Sequence, residues 1–199
     1  MNKLLIATTN LGKFDEYKKF LASYPLKLVS LKDLNITDES PEPAKTFEEN
    51  AIIKAKFYYA KSQIPTLVDD GGFEIDALHG EPGVKSHRWL GEKTTDEDLI
   101  NETIKRMKKI PDGKRQCRLT LVIAVAGTFG LMTAQSSIEG VVPPKPSEKK
   151  IKGYPFRSVM YLPKFHKYYI DLTDEEHEIL NHRKQALEKI KDVFNQINN

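Results

Sequence analysis

Cysteine is nearly absent from this chain of 199 residues, which contains only Cys117. A single cysteine excludes an internal disulfide, and its apolar neighbours predict a buried structural thiol rather than a nucleophile. Long hydrophobic runs are missing too. Leu119 to Ala126 is far shorter than the ~20 residues of a membrane-spanning helix, and Leu4 to Ala7 is too short for the core of a signal peptide. We therefore predict a cytoplasmic protein with no membrane partner.

A strong excess of charge of either sign is also missing. The chain has 31 lysines and arginines against 28 aspartates and glutamates, which leaves a net charge of +3. This balance is too mild to indicate a nucleic-acid partner by itself. The best candidate for RNA binding is the basic stretch from Lys105 to Arg118, but no aromatic residue interleaves it, which favours a solvated helix end. We predict no nucleic-acid partner.

Several common catalytic motifs are absent. The loop from Thr8 to Lys13 lacks the first glycine of a Walker A motif and the hydroxyl residue after its lysine. His177 and His182 are five residues apart, a spacing that splays two ligands around a helix and argues against zinc. No local Ser-His-Asp or Cys-His arrangement is visible. The loop is therefore not a P-loop, and neither a zinc site nor a nucleophilic triad is expected.

Two adjacent carboxylates, Asp69 and Asp70, are the clearest candidates. We predict one strand from Pro65 to Val68 and a second from Phe73 to Leu78, which puts both aspartates at a strand end. Adjacent carboxylates repel each other unless a cation lies beside them, and a hard cation such as magnesium, bound together with phosphate, meets that need. The two following glycines allow a ligand to approach the backbone. The alternative is an ordinary tight turn.

The N-terminal segment has a strand, loop and helix pattern typical of anion binding. We predict a strand over Leu4 to Thr8, a loop over Thr9 to Lys13 and a helix over Phe14 to Tyr24. Hydroxyls, an amide, a glycine and a lysine thus precede a helix N-terminus, where free N–H groups and the helix dipole favour phosphate. The alternative is that Asn10 only caps the helix and that Lys13 is solvated.

Further elements follow from caps and alternation. Thr46 and Glu49 form a capping box that opens a helix, with Lys54 beside its apolar face and Glu42 in the preceding acidic loop. The alternative for Lys54 is a solvated flank. The remaining predicted elements are a helix opened by Thr94 and Glu97, strands over Gln116 to Ala126 and Leu131 to Val142 joined by a hairpin turn, a strand over Tyr168 to Leu172, and a helix opened by Thr173 and Glu176 that runs to the C-terminus.

Four blocks of the sequence together resemble the inosine triphosphate pyrophosphatase family, the XTP/dITP diphosphatases. They are Ala7 to Lys13, Thr46 to Ala55, Asp69 to Arg88 and Asn181 to Arg183. The resemblance extends over essentially the full length. It implies an α/β fold with an elongated mixed central sheet, flanking helices and two lobes around an active-site cleft, in a single domain over residues 1–199. It also implies a homodimer and hydrolysis of a purine nucleoside triphosphate to the monophosphate and pyrophosphate.

The resemblance also assigns roles to residues. Asp70 activates the attacking water and, with Glu42, holds Mg²⁺, while Asp69 supports them. Lys13 and Lys54 bind the triphosphate. Aromatic and polar side chains of the C-terminal third enclose the base. The full predicted substrate-binding set is Thr8, Thr9, Asn10, Leu11, Gly12, Lys13, Lys54, Gly71, Gly153, Tyr154, Pro155, Phe156, His177, His182 and Arg183.

Four departures from the family pattern concern the base rather than the phosphates. Gly71 replaces a serine, Arg157 stands where an aspartate is expected, His177 replaces a lysine and Asn181 replaces the serine before His-Arg. They predict an altered base preference and an unchanged reaction. Two alternatives remain: a Maf-like pyrophosphatase acting on pyrimidine nucleotides, which the C-terminal His-Arg pair disfavours, and a catalytically idle nucleotide-binding module, which the three acidic residues disfavour.

Overall fold

The computed structural model describes residues 2–197 and contains one mixed seven-stranded sheet in the order β2-β1-β3-β4-β5-β6-β7. The strands are β1 (Asn2–Ile6), β2 (Leu26–Ser30), β3 (Thr66–Ile75), β4 (Gln116–Gly127), β5 (Gly130–Val141), β6 (Tyr161–Leu162) and β7 (Lys167–Tyr168). The helices are α1 (Leu11–Phe20), α2 (Phe47–Ser62), α3 (Asp96–Met107), α4 (Asp174–Leu180), α5 (His182–Lys189) and α6 (Asp192–Gln196).

The sheet combines parallel and antiparallel pairs. Strand β1 runs parallel to both β2 and β3, with Leu5 opposite Val29 on one side and Thr66 on the other. Strands β5, β6 and β7 pair antiparallel. Three consecutive residues of β1 are buried, as expected for a parallel strand covered on both faces. The predicted α/β class, a mixed central sheet with flanking helices, is confirmed.

The chain divides into two compact units. The first unit comprises Met1–Asp70, Leu121–Ser136 and Arg183–Asn199, and the second unit comprises Gly71–Thr120 and Ser137–His182. Each unit has its own hydrophobic core. That of the first unit contains Leu4, Ile6, Tyr17, Leu67, Ile123 and Phe194; that of the second contains Phe73, Ile75, Met107, Val159 and Met160. Three strands, β3, β4 and β5, contribute residues to both units.

The prediction that Asp69 and Asp70 lie at a strand end, in or beside a turn, is wrong. Strand β3 is continuous from Thr66 to Ile75 and includes both aspartates and the two glycines that follow. Residues of both predicted strands belong to this single strand, but Asp76–Leu78, predicted as the end of the second strand, form a 3₁₀ turn instead. Glycine and aspartate weaken a strand locally, but β3 lies between β1 and β4 in the sheet, and pairing with neighbouring strands overrides that preference.

Other predicted boundaries also need correction. The first helix begins earlier, at Leu11, and ends at Phe20. The third helix is capped by Thr95 with Asp98 rather than by Thr94 with Glu97. The predicted strand from Tyr168 ends after one residue, and a 3₁₀ turn follows. The final helix does not run unbroken to the C-terminus, because Asn181 leaves helical geometry at ψ 99° and separates α4 from α5.

Two expectations about apolar segments can be compared with the structure. Within residues 2–197, no helix combines the length and the apolar character needed to cross a membrane. Cys117 is buried, as predicted for a structural thiol. Burial raises the pKa of this thiol well above its usual range, so it is held as the protonated, unreactive form.

Candidate active site

Asp69 is a buried carboxylate surrounded by three donors of the first unit. Lys13 Nζ donates to its Oδ1 at 2.6 Å, and Tyr17 Oη and Arg183 Nε donate to its Oδ2 at 2.9 and 3.0 Å. Only 2% of the Asp69 side chain is exposed. A buried charge is stable only when it is paired and hydrogen-bonded, and here two cations and a hydroxyl meet that requirement.

Helix α1 supplies two of these donors because of its spacing. Asn10 caps the helix by accepting from the backbone N–H of Lys13 at 3.2 Å, which confirms the capping alternative for this residue. Lys13 and Tyr17 are four residues apart and therefore lie on one face. Glu16, in the same turn, forms an ion pair with Arg183 at the start of α5. The first two turns of α1 are thus fixed to β3 and to α5.

The charge state of Asp69 follows from this surrounding. Burial alone would raise its pKa, but the positive charges of Lys13 and Arg183 and the hydrogen bonds of Lys13 and Tyr17 lower the pKa well below its usual range. The pKa of Tyr17 shifts the opposite way, upward, because of burial and the adjacent carboxylate. Asp69 is therefore a permanent anion and Tyr17 a permanent hydrogen-bond donor at neutral pH.

Asp70 lies in a second ion cluster, also in the first unit. Lys54 Nζ is 2.9 Å from Asp70 Oδ1 and 2.5 Å from Glu42 Oε1, so one ammonium bridges the two carboxylates. The alternative of a solvated flank for Lys54 is wrong, because only 17% of its side chain is exposed. The structure thus brings together Glu42, Lys54 and Asp70, which the sequence analysis places in a loop, in a helix and at a strand end.

One face of α2 holds this cluster in place. Asn50, Lys54 and Tyr58 follow each other at four-residue spacing. Asn50 Oδ1 accepts from the backbone N–H of Ala44 at 3.0 Å, and Tyr58 Oη is 3.3 Å from the backbone N of Ser40. The loop that carries Glu42 is therefore attached to α2 on both sides of that residue.

Asp70 differs from Asp69 in its proton affinity. Burial raises the pKa of Asp70 above its ordinary value, and the nearby charge of Glu42 adds to the rise, although Lys54 opposes it. Burial lowers the pKa of Lys54, but its two carboxylate partners outweigh burial and raise it. One aspartate of the pair is thus a fixed charge, and its neighbour is more basic than an ordinary carboxylate.

The described residues do not include three or more His, Cys, Asp or Glu side chains grouped as a metal site. Asp70 and Glu42 nevertheless point oxygens at the same ammonium, within 3 Å of it. Mg²⁺ is usually held by one or two carboxylates, with substrate phosphates and water completing its shell. Two converging carboxylates therefore fit a cation bound together with a phosphate ligand.

The rest of the predicted N-terminal loop lies at the surface. Thr8 Oγ1 accepts from the backbone N–H of Asn10 at 3.2 Å. Thr9, Leu11 and Gly12 are exposed, and the Leu11 side chain stands out as a large apolar group open to solvent. The backbone N–H groups at the start of α1 are therefore accessible, as an anion site at a helix N-terminus requires.

The aromatic turn predicted to enclose the base belongs to the second unit. Gly153 has a φ of +83°, which favours glycine, and its N–H donates to Asp96 at 2.6 Å. Tyr154 is exposed, and the Arg157 guanidinium stacks on its ring at 4.3 Å. Pro155 is buried, as is Phe156, whose ring stacks on the ring of Phe73 at 4.7 Å.

The remaining predicted residues of the second unit are His177 and His182, on either side of the break after α4, and Gly71 in β3. His177 lies in α4 with its ring 4.9 Å from the ring of Tyr169. His182 begins α5 and is half-buried. Gly71 lies in the extended strand β3, directly after Asp70. Tyr169 also lies 5.1 Å below the Arg157 guanidinium, so the altered positions His177 and Arg157 contact the same ring.

Sequence reasoning missed the supporting residues of the first unit. The sequence analysis gives no functional role to Tyr17, Asn50 or Tyr58. A usable signal existed in each case: Tyr17 follows Lys13 by four residues, and Asn50 and Tyr58 flank Lys54 by four residues on each side. Glu16 carried no signal, because its partner Arg183 is distant in the chain.

Comparison with curated proteins gives relatives that match almost the whole chain. The chain is 35% identical over 192 residues to the dITP/XTP pyrophosphatase of Thermoanaerobacter pseudethanolicus, covering 96% of each chain. It is 33% identical over 197 residues to the dITP/XTP pyrophosphatase of Escherichia coli K12, covering 98% of each.

Comparison with solved structures and with family models identifies the Ham1 fold and the Ham1 family. The fold superposes on the Ham1 protein of Staphylococcus aureus with a TM-score of 0.88 at 24% identity, covering 98% of this chain and 99% of the other. A HAM1 protein from Coxiella burnetii gives a TM-score of 0.88 at 29% identity, covering 98% and 100%. The model of the Ham1 family matches residues 4–193. The predicted resemblance is confirmed, and this chain belongs to the Ham1 family.

Proposed function

We propose that this protein hydrolyses non-standard purine nucleoside triphosphates, namely dITP, ITP and XTP, to the monophosphate and pyrophosphate. The observation that carries the proposal is the pair of adjacent aspartates on β3, one fixed as an anion beside Lys13 and the other paired with Lys54 and Glu42. Relatives that cover almost the whole chain carry the name dITP/XTP pyrophosphatase, which supports the same reaction.

Lys13 and Lys54 are the proposed ligands of the triphosphate. Lys13 lies in the first turn of α1, where the helix dipole and the N–H groups of the exposed residues Leu11 and Gly12 add to its positive charge. Displacement at phosphorus requires charge stabilisation more than covalent help. Two ammonium groups on neighbouring elements of the first unit meet this requirement for any base.

Asp70 is the proposed general base, and Asp70 with Glu42 the proposed holder of Mg²⁺. When bound, the metal polarises phosphoryl oxygens and offsets the charge that develops on them. Burial raises the pKa of Asp70, which brings this carboxylate closer to the proton affinity that a base needs at neutral pH. Asp70 accepts a proton from the water that attacks the α-phosphorus, and Lys54 remains close enough to orient the carboxylate.

The second unit is proposed to read the base. Tyr154 offers an exposed aromatic ring, and His177 and His182 offer polar groups near the helix break. Arg157 is a donor-only group and cannot accept from an exocyclic amine. Facing position 2 of the purine, it would disfavour the amine of guanine relative to hypoxanthine and xanthine, and facing position 6 it would disfavour the amine of adenine.

The test is a panel assay of pyrophosphate release. ITP, dITP, XTP, GTP, ATP, CTP and UTP are incubated with and without Mg²⁺, and pyrophosphate and orthophosphate are measured separately. The proposal expects Mg²⁺-dependent pyrophosphate release that is fastest with ITP, dITP or XTP. Preference for CTP or UTP would instead favour the Maf-like alternative, orthophosphate release would contradict the reaction, and binding without turnover would favour the idle module.

We also propose a homodimer, as the family resemblance implies, and a cytoplasmic location, as the single cysteine favours. The net charge of +3 and one buried cysteine are compatible with a reducing compartment. Sedimentation equilibrium of the purified protein tests the assembly directly, since a molecular mass of twice 22.7 kDa is expected.

A further inference from the structure

The four residues of the Asp69 cluster, Asp69, Tyr17, Arg183 and Lys13, differ in how far their side chains are exposed to solvent. Tyr17 is 1% exposed, and the side chains of Asp69 and Arg183 are 2% and 11% exposed. The Lys13 side chain, the third partner of Asp69, is 32% exposed. Lys13 is therefore the member of this cluster that a ligand can reach most readily, because the side chains of the other three residues are largely buried.

The contacts on the two oxygens of Asp69 are divided in the same way. Lys13 takes Oδ1, whereas Tyr17 and Arg183 both donate to Oδ2. Two donors on one oxygen fix the orientation of the carboxylate, and that orientation decides where the other oxygen, and the ammonium bound to it, lies.

We propose that Tyr17 and Arg183 are positioning residues that act through Asp69 to aim Lys13 at the triphosphate. The proposal rests on the phosphate-binding role proposed above for Lys13. It gives a function to Tyr17, which no motif singles out, and a different function to Arg183, which the family resemblance places at the base.

The surroundings of Arg183 support this reassignment. Its guanidinium donates to Asp69, forms an ion pair with Glu16 and lies 5.5 Å over the Tyr17 ring. All three partners belong to the first unit. Two carboxylates and an aromatic ring thus hold the Arg183 guanidinium in place. Its planar donors are engaged in orienting α1 relative to α5.

The first experiment uses inorganic tripolyphosphate, a ligand with no base, and measures its Kd by calorimetry. Lys13→Ala is expected to weaken binding about tenfold, the equivalent of about 1.4 kcal/mol. Tyr17→Phe keeps the ring and removes only the hydroxyl, and it is expected to weaken binding about three- to tenfold. Tyr24→Phe, which removes a hydroxyl from a ring packed on Phe194, serves as the matched control and is expected to leave the Kd unchanged.

The double variant Lys13→Ala/Tyr17→Phe decides the mechanism. If Tyr17 acts through Lys13, the double variant binds tripolyphosphate as Lys13→Ala does, within about twofold, because the effects of coupled residues are not additive. A full additional loss in the double variant, or no loss in Tyr17→Phe alone, overturns the positioning role. If Lys13→Ala itself binds like the wild type, the proposed phosphate site fails, and the positioning role fails with it.

Arg183→Lys provides a second, independent readout, because it keeps the positive charge and loses the planar fork. The positioning role expects a higher KM for ITP and GTP by the same factor and an unchanged preference for ITP over GTP. A changed ITP to GTP ratio would return Arg183 to the base and overturn its assignment here. Thermal melts of each variant establish that the compared proteins are folded.

Discussion

The two units of this protein hold their candidate functional residues by different means. In the first unit, Asp69 and Asp70 are each bound by buried or half-buried cations at 2.6–3.0 Å. In the second unit, the aromatic turn is held by stacking, with Phe156 on Phe73 and Arg157 on Tyr154. Ion pairs with short, directed hydrogen bonds fix atoms in place, whereas stacked rings tolerate exchange of the side chains that cover them.

The departures from the family pattern follow the same division. Gly71, Arg157, His177 and Asn181 all belong to the second unit, whereas Lys13, Lys54 and both aspartates match the family and belong to the first. In a network of buried ion pairs, the loss of one residue leaves its partner buried and unpaired, which destabilises the fold. On the roles proposed above, the phosphate-binding residues thus lie in the first unit, and the positions that depart from the family pattern lie in the second.

The largest expected effect is on stability, at Asp69. Asp69→Asn leaves Arg183 and Lys13 without their shared anion, and removing one partner of a buried ion pair costs about 3–5 kcal/mol in the free energy of unfolding. Urea denaturation monitored by circular dichroism measures this loss. As a control, Asp38→Asn removes an exposed carboxylate paired with Lys61 and is expected to leave the free energy of unfolding nearly unchanged.

The same carboxylate predicts a pH dependence. The folded-state pKa of Asp69 lies below its unfolded value of about 3.9. The stabilisation is therefore fully present above that unfolded value and is lost as the pH falls through the folded pKa. Wild type should lose stability below about pH 4 more steeply than Asp69→Asn. Equal slopes for the two proteins would contradict the buried anion.

The next largest effect is on the rate, at Asp70. Asp70→Asn removes the proposed base and metal ligand together and is expected to lower kcat for ITP on the order of 100-fold or more. Because burial raises the pKa of Asp70 in the folded protein, neutralising this residue is not expected to destabilise the fold. A folded Asp70→Asn protein that turns over ITP at the wild-type rate would remove Asp70 from the reaction.

A smaller effect is expected for the two lysines of the first unit. Lys13→Ala and Lys54→Ala should each lower kcat/KM about tenfold for ITP and GTP alike, since the phosphates are common to both. Lys61→Ala is the control for Lys54, because Lys61 lies on the same helix and pairs with the exposed Asp38. A change in the ITP to GTP ratio at either lysine would assign that lysine to the base.

The smallest effect concerns Arg157 in the second unit. Its two cation–π contacts, 4.3 Å to Tyr154 and 5.1 Å to Tyr169, predict a loss of about 0.5–1 kcal/mol of stability each in Arg157→Ala. If Arg157 also reads the purine edge, the ITP to GTP ratio of kcat/KM falls in the same variant. An unchanged ratio with lowered stability would leave Arg157 with a structural role only.

The candidate functional residues of the first unit were predictable from the sequence, but the contacts between them were not. Residue type and the order of the sequence blocks identified Lys13, Glu42, Lys54 and the two aspartates. Both kinds of information can be read directly from the sequence. Their connections were not predictable, because the Lys54 bridge joins α2, a loop and β3, and Arg183 reaches Asp69 across 114 positions. Local patterns contain no information about such pairs.

The strand through Asp69 and Asp70 shows why local propensity failed. An Asp-Asp-Gly-Gly run is a strong turn signal by itself. Here β3 is hydrogen-bonded on one side by β1, with Ile6 opposite Leu67, and on the other by β4. The Phe73 N–H is also bound by Ser86 Oγ at 2.8 Å. Tertiary hydrogen bonding keeps the segment extended, and it places the two carboxylates in succession on one strand.

The most direct test of the central claim, that the carboxylates of the first unit deliver water to the α-phosphorus, is hydrolysis of ITP in ¹⁸O-labelled water. The label is located by mass spectrometry of the two products. Attack at the α-phosphorus places the incorporated ¹⁸O in the nucleoside monophosphate and leaves the released pyrophosphate unlabelled. Label in the pyrophosphate, or release of orthophosphate in place of pyrophosphate, would contradict the account.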